Sequence, residues 1–186
     1  MKGVLIMGTR GTYGLYKGGV DKITYSHWDS YPTGLGKDVV KFIQRTSIEE
    51  LNQIFEKIIL VDESAKATDE QIEECKDYVD LNVNTGTIDN WYCLLRKAQG
   101  TLEPYKKDLR YMIDSKDFIK KSLFCEWGYI INLDTNELEI YEGFQDNPSN
   151  NRFKVTESED GYYNCKLLKS IPLNEVSEEL MDEIEG

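Results

Sequence analysis

Histidine is nearly absent: His27 is the sole one in 186 residues, beside four cysteines that form no CxxC pair. That excludes HExxH and the common zinc patterns, because a zinc site needs three or four close-spaced nitrogen, sulfur or carboxylate ligands. Gly14, Gly18 and Gly19 make no GxGxxG ahead of a helix, and no GxxxxGK[ST] occurs, so the usual phosphate loops are missing as well. No metal site and no cofactor is expected. Cys75, Cys93, Cys125 and Cys165 lie far apart in the chain and read as buried free thiols.

Long apolar runs are also missing. No window approaches the roughly 18–20 uninterrupted apolar residues of a membrane span, and Val4 to Met7 is too short for a signal-peptide core. A cytoplasmic protein with no membrane association is the expectation. Prolines number only four, while 40% of residues are apolar and 11% aromatic, which is a folding rather than a disordered composition. The length suits one α+β domain over residues 1–173, followed by an acidic tail over 174–186.

Positive charge is scarce where the chain is longest. The net charge is −12. Up to residue 61 there are eight bases against six acids, and beyond it fourteen against twenty-eight. Direct nucleic-acid binding is disfavoured, since it draws on Lys and Arg neutralising phosphates. The acidic blocks, residues 62–80 and the tail, suit either a solvated surface or docking to a basic host protein, including imitation of nucleic acid toward a host nuclease.

Residues 2–8, 12–17 and 20–26 read as three strands joined by glycine-bearing turns, an antiparallel meander. A helical period runs from Lys37 to about Arg45. Ser47 with Glu50, and Thr68 with Gln71, are capping-box pairs opening two further helices. Thr87 opens a helical pattern through Ile88, Trp91, Tyr92, Leu95 and Ala98, with Gly100 as its left-handed cap. Alternation from Trp127 to Leu133, a turn at Asp134-Thr135-Asn136 and renewed alternation at Leu138 and Ile140 mark a hairpin. A loop over Gln145 to Asn151 and a last strand over Cys165 to Ile171 follow, and the acidic tail is helical or frayed. Strands at both ends around a helical middle predict an antiparallel or mixed sheet covered by helices.

Chemistry-bearing residues gather in two places that such a meander brings to one end of the sheet: Gly8-Thr9-Arg10-Gly11 and Tyr25-Ser26-His27-Trp28-Asp29-Ser30-Tyr31-Pro32. A ligand site of Thr9, Arg10, Tyr25, His27, Asp29, Ser30 and Tyr31 is therefore expected. Arg10 would clamp a phosphate or carboxylate, His27 would act as base or donor, and Asp29 would orient it. The structural alternative has Asp29 closing a turn, His27 half-buried and Arg10 paired with Asp29. Trp28, Tyr31, Trp91 and Trp127 are candidates for stacking on a base or for a homo-oligomer interface, with core packing the stronger reading for Trp91 and Trp127.

GTRGTYGLYKGGVDKITYSHWDSYPTGLG, WYCLLRKAQGTLEPY and GYIINLDTNELEIYEG together resemble a family of small bacterial and bacteriophage proteins marked by the HWDSYP loop, over about Val4 to Gln145. That family's opening hairpin is similar to the start of N-terminal-nucleophile hydrolases, which implies an Ntn-like fold. As an amide hydrolase of that type, the chain would use Thr9 as nucleophile after processing, with Arg10, His27 and Asp29 as substrate or oxyanion partners. Such chemistry needs a free α-amine on the nucleophile, and here eight residues precede Thr9. The resemblance otherwise implies a non-catalytic phage-type binding protein, an anti-defence factor that holds a small anionic, nucleotide-like ligand or blocks a host protein.

Overall fold

A computed structural model describes residues 8–186. Most of the first expected strand, residues 2–8, lies outside that range. Strands β1 (Gly11–Lys17) and β2 (Val20–Ser26) form the expected hairpin around Gly18 and Gly19, both at positive φ. The other edge of β1 is taken by β5 (Trp127–Asn132), which runs parallel to it. Strand β6 (Glu137–Glu142) returns antiparallel to β5 through a turn with Asn136 at φ 55°, and β7 (Lys166–Pro172) adds at the edge. The sheet order is β2-β1-β5-β6-β7. It is a mixed sheet, and the protein is α+β.

The helices follow their local signals. Helix α1 (Lys37–Gln44) continues directly from a π-helical turn, Pro32–Gly36. Helix α2 (Ile48–Lys57) opens on Ser47, whose hydroxyl accepts from the Glu50 amide while the Glu50 carboxylate accepts from the Ser47 amide. The same reciprocal pair, Thr68 and Gln71, opens α3 (Asp69–Cys75). A Ser47→Ala variant should therefore lose about 1 kcal/mol, a typical N-cap cost, read as a lower urea midpoint with unchanged slope.

One helix is shorter than its periodicity suggests. The pattern beginning at Thr87 yields only α4 (Trp91–Leu94) and a 3₁₀ turn over residues 96–98. The reason is local: the Asn90 side chain accepts from the Cys93 amide and fixes the start there, leaving Ile88 exposed before it. Gly100, at φ +87°, ends the segment in the left-handed conformation. A second, two-stranded parallel sheet pairs β3 (Ile59–Val61) with β4 (Tyr111–Ile113), beyond the short helix α5 (Glu103–Lys106). It joins the edge of β2 through the Ser115 amide, which donates to the Ile23 carbonyl at 2.9 Å.

Alternation along the strands sorts the core into two layers. Tyr13, Leu15, Tyr129, Ile131, Leu138 and Ile140 face the helices. On the opposite face Ile23, Ile130 and Tyr141 pack under the segments that carry Ile119, Phe153 and Cys165. All four cysteines are free and buried. Cys125 and Cys165 meet on that second face, where the Cys165 thiol donates to the Cys125 carbonyl at 3.3 Å.

The acidic tail carries helix α6 (Glu178–Glu185), capped by the Ser177 hydroxyl. Met181 is fully buried, and Lys37 pairs with Asp182 at 2.6 Å. Glu185 accepts from the Thr33 amide at 2.8 Å, so the tail braces the turn that follows the HWDSYP loop. Among the described residues no helix is long and apolar enough to cross a membrane.

Candidate functional site

The two sequence segments do meet at one end of the sheet. The Ser30 amide donates to the Thr9 carbonyl at 3.1 Å, and the Glu126 amide donates to the Arg10 carbonyl at 2.9 Å. The loop leaving β2 is thus tied to the segment entering β1, and β5 is tied in from the other side. These bonds consume backbone groups and leave the side chains to divide between interior and surface.

Thr9 and Ser30 go inward, at 8% and 0% exposure. Asp29 sits at φ 50°; its carbonyl accepts from the Leu35 amide at 2.8 Å and its carboxylate from the Tyr31 hydroxyl at 2.9 Å. It closes the loop rather than reaching His27. Gly34 is required beneath it, because a Cβ there would collide with the Asp29 carbonyl. Asp29 faces a separate polar hollow of about 430 Å³ on the far side of Trp28.

His27 has a different partner. The Tyr25 hydroxyl lies 2.7 Å from its Nδ1. Burial, and after it the nearby Tyr92 hydroxyl, pushes the Tyr25 phenol up to about 12, so it holds its proton at neutral pH. With the phenol donating to Nδ1, the imidazole presents Nε2–H outward. The pKa of His27 is lowered by desolvation first and then by the charges of Arg96 and Arg10. A neutral donor is what remains.

Around this pair the fold assembles residues that lie far off in sequence. Gln99 Oε1 accepts from both the His27 amide at 3.1 Å and Arg96 Nη1 at 2.8 Å, which fixes Arg96 beside the histidine. The Arg96 guanidinium lies 5.7 Å from the Tyr92 ring centroid, and that of Arg10 lies 5.4 Å from the Phe124 centroid. The Tyr25 ring packs edge-on against Phe118, with centroids 5.0 Å apart.

Two open hollows flank the pair. One, of about 540 Å³, is lined by His27, Trp28, Tyr92 and Arg96. The other, of about 550 Å³, is lined by Tyr25, Phe118, Lys121 and Phe124. Both share Tyr92 and Glu63 as walls, which makes them two ends of one groove. Each volume falls within the range of small-molecule sites, roughly 300–1,000 Å³.

Of the residues expected from sequence, Tyr25 and His27 line this groove and Arg10 lies over Phe124 at its edge, whereas Thr9 and Ser30 are buried and Asp29 and Tyr31 pair with one another. Arg96, Tyr92, Glu63, Phe118 and Phe124 were not anticipated. Tyr92 read as part of an apolar helical stripe, and nothing near Arg96 in the chain distinguishes it from a solvated charge.

The field at the site is measurable, because His27 is the single histidine and gives one unambiguous imidazole signal. Its NMR titration midpoint should fall below the ordinary 6.5 and move upward in Arg96→Ala, where one of the opposing charges is gone. An unchanged midpoint in that variant would place Arg96 out of electrostatic reach.

Comparison with protein-family models, with curated proteins and with solved structures returned no match. The chemistry of the groove rests on its own residues. Among the described residues, no group of three or more histidine, cysteine or carboxylate side chains is placed to hold a metal ion.

Proposed function

We propose that this is a non-catalytic binding protein whose groove over Tyr25 and His27 holds a small anionic ligand. One observation carries the reading. Of the five arginines, Arg45, Arg110 and Arg152 each pair with a carboxylate. Arg10 and Arg96 pair with none among the described residues, although the chain carries 34 acids; Arg96 lines this groove and Arg10 lies over Phe124, one of its walls. A guanidinium left without an internal anion, beside a neutral imidazole N–H donor, is arranged to receive an anion from outside. Aromatic walls at Trp28, Tyr92, Phe118 and Phe124 favour a ligand with a planar portion.

Binding is favoured over catalysis by the partner of His27: among the described residues its ring is bonded to the Tyr25 phenol rather than to a serine or threonine hydroxyl or a cysteine thiol. The test is native mass spectrometry of the purified protein for a non-covalent anionic adduct. Calorimetry against phosphate-bearing compounds would follow, in the wild type and in an Arg10→Ala/Arg96→Ala variant. Binding that survives the double substitution would remove the proposal.

A further inference from the structure

Glu63 stands at the junction of the two hollows and is a wall of both. Among the described residues it forms no ion pair and no side-chain hydrogen bond, in contrast to Glu50, Glu74 and Glu139, which each hold a cation. It shares one hollow with His27 and the other with Tyr25. Desolvation, and after it the neighbouring charge of Asp62, raises its pKa. Exposed and without a donor of its own among the described residues, the carboxylate is open to accept hydrogen bonds from a ligand.

The groove therefore presents three kinds of group in one place. Arg96 suits phosphate. Tyr92, shared by both hollows, offers an aromatic ring to a planar group. Glu63, on the same shared wall, accepts hydrogen bonds and donates none when ionised. We infer that the ligand is a guanine nucleotide, its phosphate held by Arg96 and the N1–H and 2-amino donors of the base paired with the Glu63 carboxylate, both walls of the same hollow. Guanine meets a carboxylate with two parallel N–H groups on its pairing edge. Adenine offers one amino group beside the N1 lone pair, which a carboxylate repels. A site built to accept donors rejects the analogue lacking them, because its polar group stays unpaired.

The inference rests on the proposed anion-binding role, and the experiment separates the two. Calorimetry is run with GMP, AMP and inorganic pyrophosphate on the wild type, Glu63→Gln and Arg96→Ala. Glu63 lies on the surface of the fold, and circular dichroism checks that each variant is folded. The expected result is GMP binding at least about 10-fold tighter than AMP. Glu63→Gln should bring the two within about threefold, pyrophosphate affinity should not fall in that variant, and Arg96→Ala should weaken all three ligands. Equal affinity for GMP and AMP, or a preference that persists in Glu63→Gln, overturns the guanine assignment; Arg96-dependent pyrophosphate binding would then leave the anion site standing. No binding of any of the three overturns both.

Discussion

Removing the Arg10 and Arg96 guanidinium groups together should abolish measurable binding of an anionic ligand while leaving the fold intact. Hydrogen bonds to charged groups contribute about 1.5–3 kcal/mol each, so either single substitution to alanine should weaken binding roughly 10- to 100-fold. The pair should exceed either alone without being strictly additive, because both act on one ligand. Lysine at position 96 should restore only part of the loss. Its ammonium cannot reproduce the planar fork that donates to Gln99 at 2.8 Å while resting 5.7 Å from the Tyr92 centroid. Added salt should weaken binding in the wild type and matter less in the double variant, since the groove is open to solvent. Calorimetry at two ionic strengths reads all of these outcomes. The fold should tolerate the changes because neither arginine belongs to an ion pair among the described residues.

Arg152→Ala should be the most destabilising single surface-loop substitution, at about 3 kcal/mol. Arg152 reaches from the loop after β6 to the second face of the sheet. There it donates to Asp21 through Nε at 3.2 Å and Nη2 at 3.1 Å, and to Glu139 and the Tyr141 hydroxyl through Nη1. Its guanidinium lies 4.3 Å from the Tyr16 centroid and 4.5 Å from that of Phe153. The Glu139 side chain is only 8% exposed and that of Asp21 16%, so removing the cation strands two carboxylates with little water.

The sign of the pH dependence follows from Asp21. Burial already raises its pKa, with Arg152 opposing, and loss of Arg152 would raise it further. A carboxyl whose folded-state pKa lies above the unfolded value contributes its stability when protonated and loses it as pH rises through the folded value. The variant should therefore lie closest to the wild type in acid and fall away from it as pH rises, which urea denaturation at pH 5 and pH 8 measures. A constant gap would show that the lost packing on Tyr16 and Phe153, rather than the stranded charge, dominates.

Much of the local architecture was legible in the residues. The capping pairs at Ser47 and Thr68 act within four residues, so their geometry is settled wherever the helices go. The hairpin through Asp134-Thr135-Asn136 combines strict alternation with a residue type that tolerates positive φ, and Glu137–Glu142 pairs accordingly. Charge placement showed the tail to be acidic but not that Met181 would bury it against the turn after Pro32. Burial depends on which apolar surface is left uncovered elsewhere, and the tail alone does not carry that information.

By itself, then, the sequence determined the α+β class, the strands β1 and β2, the starts of α1, α2 and α3 and the location of one polar-aromatic loop, because each rests on contacts between near neighbours. Tertiary structure alone decided that β5 would run parallel to β1, a choice made between segments more than a hundred residues apart. It alone separated His27 from Asp29, gave the imidazole to Tyr25, and brought Arg96, Tyr92 and Glu63 beside it. Such a groove exists only where distant segments converge, and the energy that brings them together is core burial, which is blind to the chemistry that the surface side chains then share.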